Sequence, residues 1–134
     1  MNKQLQDTAD YLIKTLKAHG FTIHRYDAYS SNSIYLKLDY GVCNSIRISD
    51  HSGKKYLKYR YNFILGGVPY EEQIDTYPRF YFNETSIEQM ISKIKQDKEN
   101  KINNYGIRNY TMYVNKNKAD IGNQKGFWKQ AKLV

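Results

Sequence analysis

Aromatic and cationic side chains alternate with apolar ones along four strand-like segments between residues 33 and 82. In the first segment, Ile34, Leu36 and Leu38 alternate with Tyr35 and Lys37. Because successive side chains of a strand point to opposite faces of a sheet, these segments predict one apolar face and one face of tyrosine and cation. Tyrosine rings stack on flat groups and cations pair with anions, so the second face suits a flat anionic partner or an acidic protein surface. The predicted contact residues on this face are Tyr35, Lys37, Arg47, Tyr56, Lys58, Arg60, Arg79 and Tyr81.

The same alternation has a purely structural interpretation, because tyrosine and long cations also suit exposed strand positions. The two interpretations differ in what substitution would do. A contact face loses partner binding when its cations are replaced, whereas a solvated face tolerates the change.

Residues that could catalyse a reaction are few. Ser49-Asp50-His51-Ser52 is the only local group of nucleophile, acid and base, and adjacent side chains of an extended segment point apart. Asp50 and Ser52 suit a turn toward Gly53 better. Cys43 has no cation beside it, and a single cysteine excludes an intramolecular disulfide and a cysteine-based zinc cluster. We therefore expect a protein that is not an enzyme and uses no metal or cofactor.

Two helices and six strands are predicted to position the tyrosine and cation face. The first helix spans residues 4–19 and ends at a Gly20 cap. The second opens with a capping box at Thr85–Glu88 and stops at Gly106. Strands are predicted at residues 21–29, in the four alternating segments, and last at Ile107–Val114. The order α-β-β-β-β-β-α-β predicts an α+β fold, with an antiparallel sheet of four to six strands and both helices on its apolar face.

Length and hydropathy predict one soluble domain. A chain of 134 residues is long enough to bury a core without disulfides or metal. It has no apolar run that could span a bilayer and no hydrophobic segment near Met1 that resembles a signal peptide, so we expect no membrane association and a cytoplasmic location in a host cell. We predict one α+β domain over residues 1–114 and a basic, partly ordered tail over residues 115–134.

Positive charge is concentrated in two parts of the chain. The whole chain has 21 Lys and Arg against 13 Asp and Glu, a net charge of +8. Residues 54–70 contain four cations and no acid, and residues 100–134 contain seven cations and one acid. This distribution favours nucleic acid or an acidic protein as partner and excludes mimicry of DNA, which requires an acidic chain.

The tail holds the one tryptophan of the chain. Lys125 and Lys129 flank Trp128, and aromatic residues are enriched where binding energy is concentrated, so these three residues join the predicted contact set. A binding arm is one interpretation of the tail. The other is that Phe127 and Trp128 close over the apolar face of the chain's own sheet.

The first half of the chain resembles the HicA-type mRNA interferases, a small fold related to double-stranded-RNA-binding domains. The resemblance lies in a helix that ends in Gly20-Phe21, the strand and serine-rich turn that follow, two further strands, and then Asp50–Lys55. In that family a Gly-Ser-His turn supplies the catalytic histidine. The matching turn here, Ser30-Ser31-Asn32-Ser33, has no histidine, so the resemblance implies the architecture without the ribonuclease activity.

Residues 21–100 resemble small phage-encoded proteins that include inhibitors of type II CRISPR effectors, the anti-CRISPRs. The resemblance rests on Ser30–Tyr35, on the strand end Ile46–His51, and on the capped amphipathic helix after them. It implies a non-enzymatic inhibitor that binds a Cas9-type nuclease, with or without its guide RNA, and blocks it by occlusion. Arg47, Ser49, Asp50 and His51 carry over from this resemblance only as residues that keep the fold.

Three functions follow from the sequence. The first is occlusion of a Cas9-type nuclease. The second is a general RNA- or DNA-binding module, in which the tyrosine and cation face stacks bases and the tail follows phosphates. The third is a degenerate ribonuclease that would use His24 and His51. The sequence leaves the oligomeric state open.

Overall fold

The computed structural model describes residues 1–49, 59–62 and 79–134, and they form an α+β fold as predicted. The three helices are α1 (Lys3–Ala18), α2 (Ile87–Tyr105) and α3 (Ile107–Ala119). The strands are β1 (Ile23–Ala28), β2 (Ser33–Leu38), β3 (Ser45–Ser49), β4 (Tyr59–Asn62), β5 (Arg79–Phe82) and β6 (Lys132–Leu133). None of the helices in the described ranges is long and apolar enough to cross a membrane.

Helix α1 is defined by its caps and by one apolar stripe. The Asn2 side chain accepts a hydrogen bond from the Leu5 amide at 2.8 Å at the start of the helix. At the end, Gly20 adopts a left-handed φ of 85°, and the Phe21 amide donates to the Leu16 carbonyl at 3.1 Å. The buried stripe consists of Leu5, Ala9, Leu12 and Leu16. The predicted helix and its glycine cap are confirmed.

All six strands form one antiparallel sheet in the order β5-β4-β3-β2-β1-β6. The alternation predicted from the sequence sets which side chains are buried: Ile34, Leu36 and Leu38 of β2 are fully buried, as are Tyr59 and Tyr61 of β4. These residues form one core cluster with the buried faces of α1 and α2. The two predicted helices therefore cover the apolar face, and Tyr35, Lys37, Arg47, Arg60 and Tyr81 lie on the other face.

The start of α2 differs in detail from the prediction. The capping box is formed by Asn83 and Ser86 rather than by Thr85 and Glu88. The Asn83 side chain accepts from the Thr85 amide at 3.0 Å, and the Ser86 hydroxyl accepts from the Asn83 amide at 2.9 Å. The cap holds one short 3-10 turn, after which the helix proper begins at Ile87.

The predicted last strand at Ile107–Val114 is wrong, because these residues belong to α3. The β-branched and aromatic residues of this segment favour a strand locally, but tertiary contacts stabilise a helix instead. Gly106, with a φ of 83°, lets the chain turn after α2. A helical turn then brings the Tyr110 hydroxyl to Asp39 Oδ2 at 2.5 Å, and Tyr110 is the one buried residue of α3.

Residues 120–134 form a segment that we call the C-terminal strap. It contains two 3-10 turns, at Ile121–Asn123 and Gly126–Gln130, and ends in β6, which pairs with His24 and Arg25 of β1. The boundary that the sequence suggested after residue 114 lies inside α3. The alternative in which Trp128 closes over the apolar face is wrong, because Trp128 packs against Tyr35 and Lys37 on the opposite face.

Candidate nucleic-acid interface

Five side-chain positions form a line across the sheet, which we call the sheet-face row. The strand register places each directly opposite the next on neighbouring strands: Tyr26, Tyr35, Arg47, Arg60 and Tyr81. Neighbouring strands lie about 4.8 Å apart, so the row extends for roughly 19 Å. Two arginines thus occupy the centre of the row, with tyrosines on both sides.

The row is partly accessible. Tyr35, Arg47 and Arg60 are half-buried, and Tyr81 is 42 % exposed. The Arg47 Nε lies buried without a hydrogen-bond partner among the described residues. Arg47 and Arg60 carry like charges at directly opposed positions, an arrangement that by itself destabilises a sheet. Aromatic rings beside two arginines at opposed strand positions suit a ligand that combines flat rings with negative charge.

The strap extends this surface with Trp128. The indole meets the Tyr35 ring edge-on, with 6.2 Å between the ring centroids. Lys37 Nζ lies 4.8 Å from the centre of the indole and donates to Gln124 Oε1 at 2.8 Å. Burial under the strap lowers the pKa of Lys37. Trp128 therefore adds a second kind of aromatic side chain beside the row, where it contacts the Lys37 ammonium and the Tyr35 ring.

A small polar recess lies between the strap and the sheet. His24 is 95 % buried there, since its exposed fraction is 5 %, and its ring meets Tyr40 at 4.8 Å between centroids. The recess is also lined by Lys37, Gln124 and Trp128. Burial first, and the charge of Lys37 second, lower the pKa of His24. The histidine is therefore neutral near pH 7 and contributes packing rather than charge.

The structure brings together most of the predicted contact residues. Tyr35, Arg47, Arg60 and Tyr81 lie in the row, and Lys37 and Trp128 lie against its Tyr35 end. Lys125 and Lys129 are exposed on the strap, and Arg79 begins β5 with its backbone opposite Asn62.

Other predictions fall outside the described residues or missed part of the surface. Tyr56, Lys58 and the turn at residues 50–52 lie outside the described ranges. Tyr26 was not among the predicted contact residues. Its position two residues after His24 in a predicted strand would have placed it on the same face as His24.

The described part of the segment Ile46–His51, residues 46–49, belongs to β3 at the centre of the sheet. Ile46 and Ile48 are fully buried, while Arg47 lies in the row. The Ser49 hydroxyl is also buried and lies 3.0 Å from the Ser33 hydroxyl across the β2–β3 pair. Ser49 thus has the contacts of a residue that keeps the fold.

A separate cluster of buried polar groups connects the turn after β2 to α2 and α3. Asp39 accepts from the Thr22 amide at 2.9 Å, from Lys98 Nζ at 2.9 Å and from the Tyr110 hydroxyl at 2.5 Å. The turn that it begins contains left-handed φ values at Asp39, Tyr40 and Gly41 in succession. Such a backbone is costly, and the side-chain contacts of Asp39 stabilise it.

A second buried pair lies on the same side. Asp97 accepts from the Tyr61 hydroxyl at 2.5 Å and lies 3.3 Å from Lys101 Nζ, which also donates to the Val42 carbonyl at 2.9 Å. Burial raises the pKa of the neighbouring Cys43 thiol to about 11. A thiol with this pKa is protonated near neutral pH, so this cluster has the properties of a satisfied structural network rather than of a nucleophilic site.

Comparison with known protein families, with curated proteins and with solved structures finds no match. Within the described residues, no group of three or more histidine, cysteine, aspartate or glutamate side chains is placed to hold a metal ion. The inference about function therefore depends on the geometry of the sheet-face row.

Proposed function

We propose that this chain is a non-enzymatic binding protein whose sheet-face row engages single-stranded nucleic acid. The observation that carries the proposal is the register that sets Tyr35, Arg47, Arg60 and Tyr81 opposite one another on four adjacent strands. Bases stack on aromatic side chains of a sheet, and arginine pairs with the phosphates between them.

The spacing of the row supports a single strand rather than a duplex. Tyr35 and Tyr81 are three strand positions apart, or about 14 Å, with both arginines between them. A strand that crosses the sheet can stack one base at each tyrosine and place its intervening phosphates on the arginines. A duplex keeps its bases stacked inside and offers only its backbone to such a face.

A second candidate function is inhibition of a Cas9-type nuclease by occlusion, as the resemblance of Ile46–His51 implies. The observation that favours it is that the described part of this segment is the central strand and presents Arg47 in the row. The same row would then engage the guide RNA or an acidic patch on a mobile nuclease domain. With a net charge of +8, the chain would not act by mimicking DNA.

A binding titration tests the first function. Fluorescence anisotropy of a labelled 12-nucleotide RNA should show saturable binding, and a duplex of the same sequence should bind more weakly. Arg47→Gln should weaken the single-strand complex at least tenfold, because a charge-assisted hydrogen bond is worth about 1.5–3 kcal/mol. Lys14→Gln is the matched control, since this exposed cation lies on α1, which packs on the opposite face.

The salt dependence separates nucleic acid from a protein partner. Each phosphate contact to a single strand contributes about 0.7 to the slope of log K against log salt, so Arg47→Gln should reduce that slope by about this amount. If neither RNA nor DNA binds and the protein instead co-purifies with a Cas9-type nuclease in a salt-insensitive complex, the second function replaces the first.

A further inference from the structure

The C-terminal strap opens a cleft at one end of the sheet-face row. Strand β6 pairs with His24 and Arg25, and the Val134 amide donates to the Ile23 carbonyl at 3.0 Å. Before β6 the chain turns away from β1, and the Ala131 amide donates to the Trp128 carbonyl at 3.2 Å. The edge of β1 beyond Arg25 therefore borders a cleft of about 290 Å³ that opens to solvent. This volume lies at the lower limit of small-molecule sites, which is about 300 Å³. The lining residues are Arg25, Tyr26, Asp27, Tyr29, Gln130, Lys132 and Val134.

The cleft is continuous with the row. Tyr26 belongs to both, and its ring centroid lies 6.5 Å from that of Tyr35 with the ring planes tilted by 37°. A strand that crosses the sheet from Tyr81 toward Tyr35 therefore reaches the edge of β1 at Tyr26. Its end would pass over this edge to meet Asp27 and Lys132, which the register places on the helix side of the sheet.

The groups around the cleft are suited to one nucleotide. Tyr29 is 68 % exposed, so its ring adds little to the core and is available as a stacking surface. Lys132 is also exposed and supplies a cation for a phosphate. Gln130 offers amide donors and an acceptor, and the Asp27 carboxylate, which accepts from Arg25 Nε at 2.8 Å, has further lone pairs for a base amino group. Arg25 itself is engaged by Asp10 and Asp27.

We propose that this cleft binds a nucleotide, with the base on Tyr29, the base edge at Gln130 and Asp27, and the phosphate at Lys132. The nucleotide is either the end of the strand that occupies the row or a free mononucleotide. Binding of the strand end in this cleft rests on the proposed function, whereas binding of a free mononucleotide does not.

Substitution of Tyr29 tests the cleft. Tyr29→Ala should weaken binding of an internally labelled eight-nucleotide RNA about tenfold, the effect of losing one base–aromatic stack. Tyr29→Phe keeps the ring and should bind within about twofold of wild type. Tyr11→Ala removes an exposed tyrosine from α1, away from the cleft, and should leave the affinity unchanged. Equal melting temperatures would show that all variants are folded.

A double-mutant cycle separates the two sources of the nucleotide. If the strand end occupies the cleft, an abasic terminal nucleotide should weaken wild-type binding about tenfold and should not weaken Tyr29→Ala further. If a free nucleotide occupies it, equilibrium dialysis should detect adenosine monophosphate on wild type and not on Tyr29→Ala. The cleft proposal is overturned if Tyr29→Ala binds the RNA like wild type and does not differ from it toward the mononucleotide. If wild type binds neither single-stranded RNA nor single-stranded DNA, the proposed function is refuted, and the mononucleotide measurement then decides by itself whether the cleft binds a nucleotide.

Discussion

The opposed arginines at the centre of the sheet-face row make a prediction that joins stability to function. Arg47 and Arg60 face each other across the β3–β4 pair, and like charges in this position destabilise a sheet by about 0.2–1 kcal/mol. Replacing Arg47 with glutamine removes this repulsion and also removes a buried Nε that lacks a hydrogen-bond partner among the described residues. We therefore expect Arg47→Gln to stabilise the protein while it weakens RNA binding.

The expected change in melting temperature follows from the chain length. For a protein of 134 residues, 1 kcal/mol corresponds to roughly 3–5 °C in melting temperature, so Arg47→Gln should raise the melting temperature by about 0.6–5 °C. The gain should shrink in 1 M salt, where the screening length falls to about 3 Å. Differential scanning calorimetry at two salt concentrations measures both effects.

A double-mutant cycle identifies the cause of the gain. If repulsion between the two arginines is responsible, Arg60→Gln added to Arg47→Gln should bring no further relief of that repulsion, so the two effects should not add. Lys14→Gln changes the net charge equally on the opposite side of the sheet and controls for a general charge effect. A fall in melting temperature for Arg47→Gln would refute the reasoning, because Arg47 would then stabilise the fold, and unchanged RNA affinity would remove it from the interface.

Three further predictions concern the strap and the buried polar groups. Trp128→Ala should lower the free energy of unfolding by about 2 kcal/mol, because the half-buried indole packs on Tyr35 and Lys37; an unchanged chemical denaturation midpoint would show that the strap is not docked in solution. The pKa of His24 is lowered in the folded state, so the unfolded chain binds the proton more tightly and stability should fall as the pH drops below about 6.5. That loss should be absent in His24→Gln, and an identical pH profile for the variant and wild type would contradict the assignment. Tyr110→Phe should destabilise the protein by about 1–2 kcal/mol, because it leaves Asp39 without one of its donors, whereas Tyr29→Phe, which alters an exposed ring, should change the melting temperature little.

Much of the sheet could be predicted from the sequence because strand alternation is a local property. The period of two in Ser33–Asp39 and Ser45–Ser49 was sufficient to assign the buried isoleucines and leucines to one face and Tyr35, Lys37 and Arg47 to the other. The cap at Gly20 was predictable for the same reason, since a glycine after an amphipathic run is a local signal for a left-handed residue.

The register of the strands was decided only by the tertiary structure. Alternation assigns a residue to a face, but it does not say which residue of the next strand lies opposite. The pairing of Arg47 with Arg60, and the continuous row from Tyr26 to Tyr81, depend on how the strands align over the core beneath α1 and α2.

Long-range contacts also decided the C-terminal part of the chain. Locally, Ile107–Val114 favours a strand, but a helix lets Tyr110 reach Asp39, 71 positions earlier in the sequence. Trp128 was identified from the sequence as a residue of interest, yet its place against Lys37 and Tyr35 follows from the pairing of β6 with β1 at the sheet edge. The sequence by itself thus determined the faces of the elements through local periodicity. The composition of the candidate interface was determined by pairings between residues far apart in the chain, which local patterns do not encode.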